Sequence, residues 1–186
     1  MAVSKTFNLD AATHQRAERK LLITVAEWRD ENGTVTIDGE KYSREILGRR
    51  TEDSSIEYNG DISNSTDILG INYADLEKTQ PQQDFDPFLV LGGSKLGELL
   101  NDIRRRNAIT ELNQFNLYII TAFIGDSTNG YAAEKHKDCT ILYTAIGGDT
   151  KVNFPISAYF SNDITLGTVD KLSDDFTFTP DQNISI

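Results

Sequence analysis

The chain has 186 residues, of which 38% are hydrophobic, 9% aromatic and 25% charged, with a net charge of −11 at pH 7. This is the composition of one globular domain with a buried core, with no run of about 18 apolar residues to cross a membrane and no apolar leader of the secretory kind near residue 1. The acidic balance argues against a protein that grips DNA by its phosphates, and the single cysteine, Cys139, allows no internal disulfide and suits synthesis in a reducing cytosol.

Residues 1–19 read as a polar arm anchored by Val3, Phe7 and Leu9, with a short helix around 10–19. The run KLLITVAEW (20–28) predicts a strand with apolar side chains on both faces. Asp38-Gly39 predicts the turn of a hairpin over 34–42. A further strand is expected over 44–58, with Gly48 marking a bulge or bend.

Residues 59–88 read as one long loop. It is acidic: residues 51–90 hold nine acids against one base, Lys78. Pro81 and Pro87 point to extended or irregular backbone. Yet the segment carries many large apolar residues, among them Leu69, Tyr73, Phe85 and Phe88. Loops this long are uncommon unless functional, and apolar residues on them need a cover.

A helix is expected at about 94–107. Ser94 stands at its N-cap after two glycines, and Leu96, Leu99, Leu100 and Ile103 form one apolar stripe. Arg104, Arg105 and Arg106 close its C-terminus, where cations suit the helix dipole. The run 115–124 is apolar on both faces and should be covered on both. Strands at 131–137 and 139–146 follow, then an alternating strand at 151–160 that Pro155 makes either an edge strand or one whose backbone points outward at that residue. The acidic tail 161–186 reads as loosely held. The fold class expected is mainly β, a β-sandwich or open barrel with one flanking α-helix, in one domain spanning 1–186.

No catalytic, metal or cofactor motif emerges. His14 and His136 lack partners at ligand spacing, and His136 reads as a surface residue. Residues 61–70 have Thr66 where a calcium loop needs glycine. The stretch LGGSKLGE (91–98) lacks the spacing of a phosphate loop and reads as a strand-to-helix turn. Asp84 and Asp86 form an acid pair of no specificity. No cofactor is expected, and the chain does not read as an enzyme.

Four phrases resemble phage tail tube (major tail) proteins of phages and prophages of Gram-positive hosts: ILGRRTEDSSIEYNGD (46–61), TDILGINYADLEKTQPQQDFDPF (66–88), LYIITAFIG (117–125) and IGGDTKVNFPISAYFSNDITLGTVD (146–170). The resemblance spans roughly residues 40–170. It implies a virion structural protein made in the host cytoplasm, with six copies per ring and rings stacked into a hollow tube. DNA passes through such a tube without specific binding. The implied partners are the chain itself, a tape-measure protein, a tail terminator and baseplate or tail-tip proteins, with no membrane. It implies that the loop 59–88 joins neighbouring subunits or rings, through Leu69, Tyr73, Phe85, Pro87 and Phe88. The arm 1–19 and the tail 161–186 are candidates for the same role. Glu52, Asp53, Glu57 and Asp149 are candidates to face the bore, with solvated acids of the outer surface as the equal alternative. The alternative is a β-sandwich binding module of a tail tip or baseplate that recognises carbohydrate or a receptor. Against it, Trp28 lies in a core strand and the tyrosines are scattered.

Overall fold

The computed structural model describes residues 6–49, 51, 54–89 and 91–181, with the backbone alone for Tyr73, Asp75, Glu77 and Lys78. Its architecture is mainly β, with ten strands and one α-helix among the described residues. The strands are β1 (Leu22–Arg29), β2 (Val35–Ile37), β3 (Glu40–Ile46), β4 (Ile56–Thr66), β5 (Asn72–Phe85), β6 (Phe115–Asp126), β7 (Gly130–Tyr143), β8 (Ile156–Tyr159), β9 (Ile164–Val169) and β10 (Phe178–Pro180). All pairings are antiparallel.

One strand makes this sheet into two leaves. From Tyr131 to His136, β7 pairs with β9, and from Thr140 to Tyr143 it pairs with β8. Along the other edge its partner is β6, with Leu117 opposite His136 but Phe115 opposite Cys139, so β7 holds one extra residue there. Asp138, at φ 52°, lies in this bulge. An extra residue reverses the parity of all that follows. Ala133 therefore faces one core and Cys139 and Ile141 the other. The two strands expected at 131–137 and 139–146 are this single bent strand.

Leaf one runs β2-β3-β1-β6-β7-β9-β10 and leaf two β7-β8-β5-β4. The main core lies between them. Ala26, Trp28, Leu117 and Ile119 of leaf one meet Phe85, Ile141, Ile156 and Ala158 of leaf two. The opposite face of leaf one buries Val25, Tyr118, Ile120 and Val169 under Phe176. Both faces of β1 and β6 are thus covered, as their largely apolar runs require.

The helix α1 (Lys95–Arg106) matches the expected one. Gly97 donates to the Ser94 hydroxyl at 3.1 Å, and Asn107 ends the helix at φ 55°. Glu45 of β3 ties the N-terminus to the sheet by accepting from Ser94 Oγ and the Leu96 amide. Leu96, Leu100 and Ile103 enter the main core.

Several expectations are corrected. The strand over 44–58 is two, because Gly48 at φ 83° turns the chain between β3 and β4. The helix around 10–19 is a set of turns followed by a short 3-10 turn at Arg19–Leu21. The strand at 151–160 starts only after Pro155 and lies inside the sheet, between β7 and β5. The tail supplies β9, β10 and the buried Phe176. His136 is buried, its Nδ1 donating to the Ser161 carbonyl at 2.8 Å. The loop 59–88 is a β-hairpin.

Candidate assembly surface: the β4–β5 hairpin

Strands β4 and β5 pair from Ile56–Gln83 to Thr66–Asn72. Only Gln82 to Phe85 of β5 also pair with β8. The remaining arm overhangs leaf two by about ten residues per strand, on the order of 30 Å of extended chain. Among the described residues from Glu57 to Gln80, only Ser63 and Thr79 are even half-buried.

Register divides the arm into two unlike faces. One face carries Ile56, Tyr58, Gly60 and Ile62 of β4 with Pro81, Leu76 and Ala74 of β5. It continues the core side of leaf two: Gln83 on that side accepts a 2.7 Å hydrogen bond from Thr24, and Ile56 packs on the main core. Beyond the core's edge the same face is bare. Tyr58 is 62% exposed, Ile62 59% and Leu76 61%. The other face carries Glu57, Asn59, Asp61 and Ser63 and runs onto Gln80, Gln82 and Asp84. A β5 bulge opposite the Asp61–Ile62 step breaks the spacing of its apolar residues and hid Leu76 from a period-two reading.

The tip is tightly built. Asp67 Oδ1 accepts from the Leu69 and Ile71 amides at 2.8 and 2.9 Å. The Asp67 amide donates to the Ile71 carbonyl, and Gly70 takes φ 77°. Ile68 and Leu69 stand fully or mostly in solvent.

The candidate residues separate accordingly. Leu69 is exposed at the tip, and the Tyr73 side chain lies outside the described residues. Phe85 and Phe88 are 1% and 6% exposed and covered by their own chain, which corrects their expected place on a subunit contact. They sit at the foot of the hairpin, where Phe88 exchanges hydrogen bonds with Asn153 and Phe154. The Pro87 carbonyl, after the cis Asp86–Pro87 bond, accepts from Thr51. Of the acids, Glu57 is exposed on the polar face, Asp149 is exposed in the turn after Gly148, and Glu52 and Asp53 lie outside the described residues.

A second feature gave no sequence signal. Under leaf one, Glu27 is fully buried and ion-paired to Arg44 at 2.6 Å and to Lys135 at 3.1 Å. Asn116 and Tyr118 donate to the same carboxylate. Burial alone would raise the Glu27 carboxyl, but Arg44, Lys135 and the Asn116 hydrogen bond outweigh it and hold it below its ordinary value. Burial, then the Glu27 charge, pushes the Tyr118 phenol up. The cluster floors a cavity of about 740 Å³ between β2 and residues 175–180. Burial likewise raises the Cys139 thiol, so no reactive thiolate is on offer. Among the described residues no group of acids, histidines and cysteine is arranged to hold a metal ion, and no helix is long and apolar enough to cross a membrane.

No protein-family model matches the sequence, and no curated protein does. Solved structures show a likeness, among them two from contractile injection systems or phage-like particles. One is a chain of the PVC sheath–tube complex of an extracellular contractile injection system in its extended state. It is 11% identical, covers 85% of this chain and 95% of its own, and has a TM-score of 0.46. The other is a chain of the anti-feeding prophage (AFP) baseplate, 12% identical over 81% of this chain and 94% of its own, with a TM-score of 0.42.

Proposed function

We propose that the chain is a structural subunit of a phage or phage-like tail tube, in which copies assemble side by side into rings and the rings stack. The observation that carries this reading is the hairpin arm, whose apolar face is flush with the core side of leaf two and uncovered in a single copy. An exposed apolar surface of this kind marks a place of association. The opposite face, with Glu57 and Asp61, suits a wetted wall past which DNA slides, since carboxylates repel phosphates.

The sheet edges support the same reading. Leaf two ends in β4 on one side and, on the other, in residues 140–143 of β7, which lie beyond the last β6 pair at Cys139. Open edges invite pairing with another chain, and copies joined edge to edge remove them by closing a barrel. Six copies per ring, and a tape-measure protein, terminator and baseplate as partners, come from the sequence resemblance.

Negative-stain electron microscopy with sedimentation over a concentration series tests the reading. Hollow rods or rings are expected from the wild type. A double variant, Ile62→Asp with Leu76→Asp, is expected to stay monomeric with an unchanged melting temperature. Wild-type protein that is monomeric at every concentration, or a double variant that assembles as well as wild type, would overturn the proposal.

A further inference from the structure

We propose that the folded chain joins Lys135 to Asn116 by an amide bond, with Glu27 as the base and ammonia as the leaving group. The ion pair described above between Lys135 and Glu27 is the arrangement before reaction. The step occurs once within the chain and acts on no outside substrate.

Strand register brings the three groups together. β1, β6 and β7 are neighbours in leaf one. Glu27 of β1 is directly opposite Asn116 of β6, and Lys135 of β7 is opposite Tyr118. Asn116 and Tyr118 are two residues apart, so their side chains share a face. Lys135 is then the diagonal neighbour of Asn116, a separation that long side chains span. The two side chains meet on one atom: Lys135 Nζ lies 3.1 Å from Glu27 Oε1, and Asn116 Nδ2 donates to the same Oε1 at 2.8 Å.

The surroundings suit the reaction. An amine becomes a nucleophile when an adjacent base takes its proton. Burial alone would raise the Glu27 carboxyl, but Arg44 and Lys135 outweigh burial and hold it below its ordinary value, so the base is ionised. Arg44, at 2.6 Å, alone matches the charge of Glu27. An arginine keeps its proton, whereas a lysine can release one, so Lys135 is the cation whose charge this cluster can lose. The Glu27 side chain is fully buried and that of Lys135 is 14% exposed, which limits competition from water. Nζ also lies over the Tyr118 ring, 5.3 Å from its centre. The other lysine–carboxylate pairs among the described residues, Lys20–Glu18 and Lys171–Asp175, are exposed and have no amide side chain on the carboxylate.

The step balances without an oxidant or a co-reactant. Glu27 Oε1 takes a proton from the Lys135 ammonium, and the freed Nζ pair attacks Asn116 Cγ. The Cγ–Nδ2 bond breaks as the carbonyl re-forms. Nζ gives up two protons in all, and Oε1, in contact with both nitrogens, passes them to Nδ2, which leaves as ammonium. Glu27 ends ionised, as it began. Holding amine, amide and base in one geometry removes the entropy cost that keeps the same groups inert in solution. The product is a covalent rung between β6 and β7.

Intact mass spectrometry of the denatured wild-type protein tests the bond. A mass lower by one ammonia than that of the sequence, with or without Met1, is expected. Chymotrypsin should then release a branched peptide joining the Asn116 and Lys135 fragments. Lys135→Arg and Glu27→Gln are expected at their full sequence masses. Wild-type protein at its full sequence mass would overturn the proposal, whatever the fate of the variants. So would loss of ammonia confined to a fragment holding Asn32-Gly33, Asn59-Gly60 or Asn129-Gly130, which is succinimide formation, or the same loss persisting in Lys135→Arg.

Discussion

Two long hairpins of nearly equal size meet opposite fates in this molecule. β6 and β7 have 12 and 14 residues, and β4 and β5 have 11 and 14, so length does not decide which is buried. β6 is apolar on both faces, and the chain supplies a cover for each: the main core on one side and Phe176 on the other. The distal part of β4–β5 is apolar on one face and polar on the other, and none of the described residues covers either. Burying it internally would have taken Glu57 and Asp61 out of water, at a cost far above the gain from Ile62 and Leu76. An amphipathic strand pair can hide one face only against a surface that leaves the other wet, and leaf two offers no such surface beyond its edge.

The sharpest way to break this contrast is at Glu27, in the covered half. Glu27→Ala leaves Arg44 buried beside Lys135 without a carboxylate, and a loss of about 3–5 kcal/mol is expected in denaturant unfolding. The pH dependence has a definite sign. The folded Glu27 carboxyl titrates below its ordinary value of 4.5, so between the two values the folded state binds fewer protons than the unfolded chain. Its contribution is present above the unfolded value and is lost as pH falls through the folded one. Glu27→Gln should flatten this acid limb of the stability curve, measured by urea unfolding from pH 7 downward.

Phe85, at the hairpin's foot, belongs with the covered region. Phe85→Ala is expected to cost about 3–5 kcal/mol of monomer stability, read as a lowered melting temperature before any effect on association. At the other extreme, Ile62→Ser and Leu76→Ser should each change monomer stability by less than about 0.5 kcal/mol, while sedimentation shows weakened association. Equal destabilisation by Phe85→Ala and Ile62→Ser would erase the distinction between foot and arm.

Much of the fold was legible in local pattern. β1, β6 and α1 announced themselves through largely apolar runs or a single stripe, and Asp38-Gly39 marked the β2–β3 turn. The hairpin was not legible, because its strands are poor in β-branched residues and its bulge puts Leu76 out of step. Pro81 also reads as a breaker; in fact only its carbonyl is needed there, accepting from Phe160 at 2.9 Å. The loosely held tail was misread because its acids hide how few apolar residues it takes to close a seam: Val169, Phe176 and Phe178 suffice. Within the candidate site, Leu69 stands exposed at the tip, but the sequence could not separate it from the buried Phe85 and Phe88. Burial of those two depends on Asn153, Phe154 and Leu47, far away in the chain.

The bulge at Asp138 has a mechanical consequence. Because β7 serves both leaves, tension applied to leaf two through β8 passes into leaf one along covalent backbone rather than across a packed interface. Pulled along β7, the hydrogen bonds to β6 and β9 share the load in shear instead of opening one after another. A force–extension trace should therefore show the two leaves failing in one rupture.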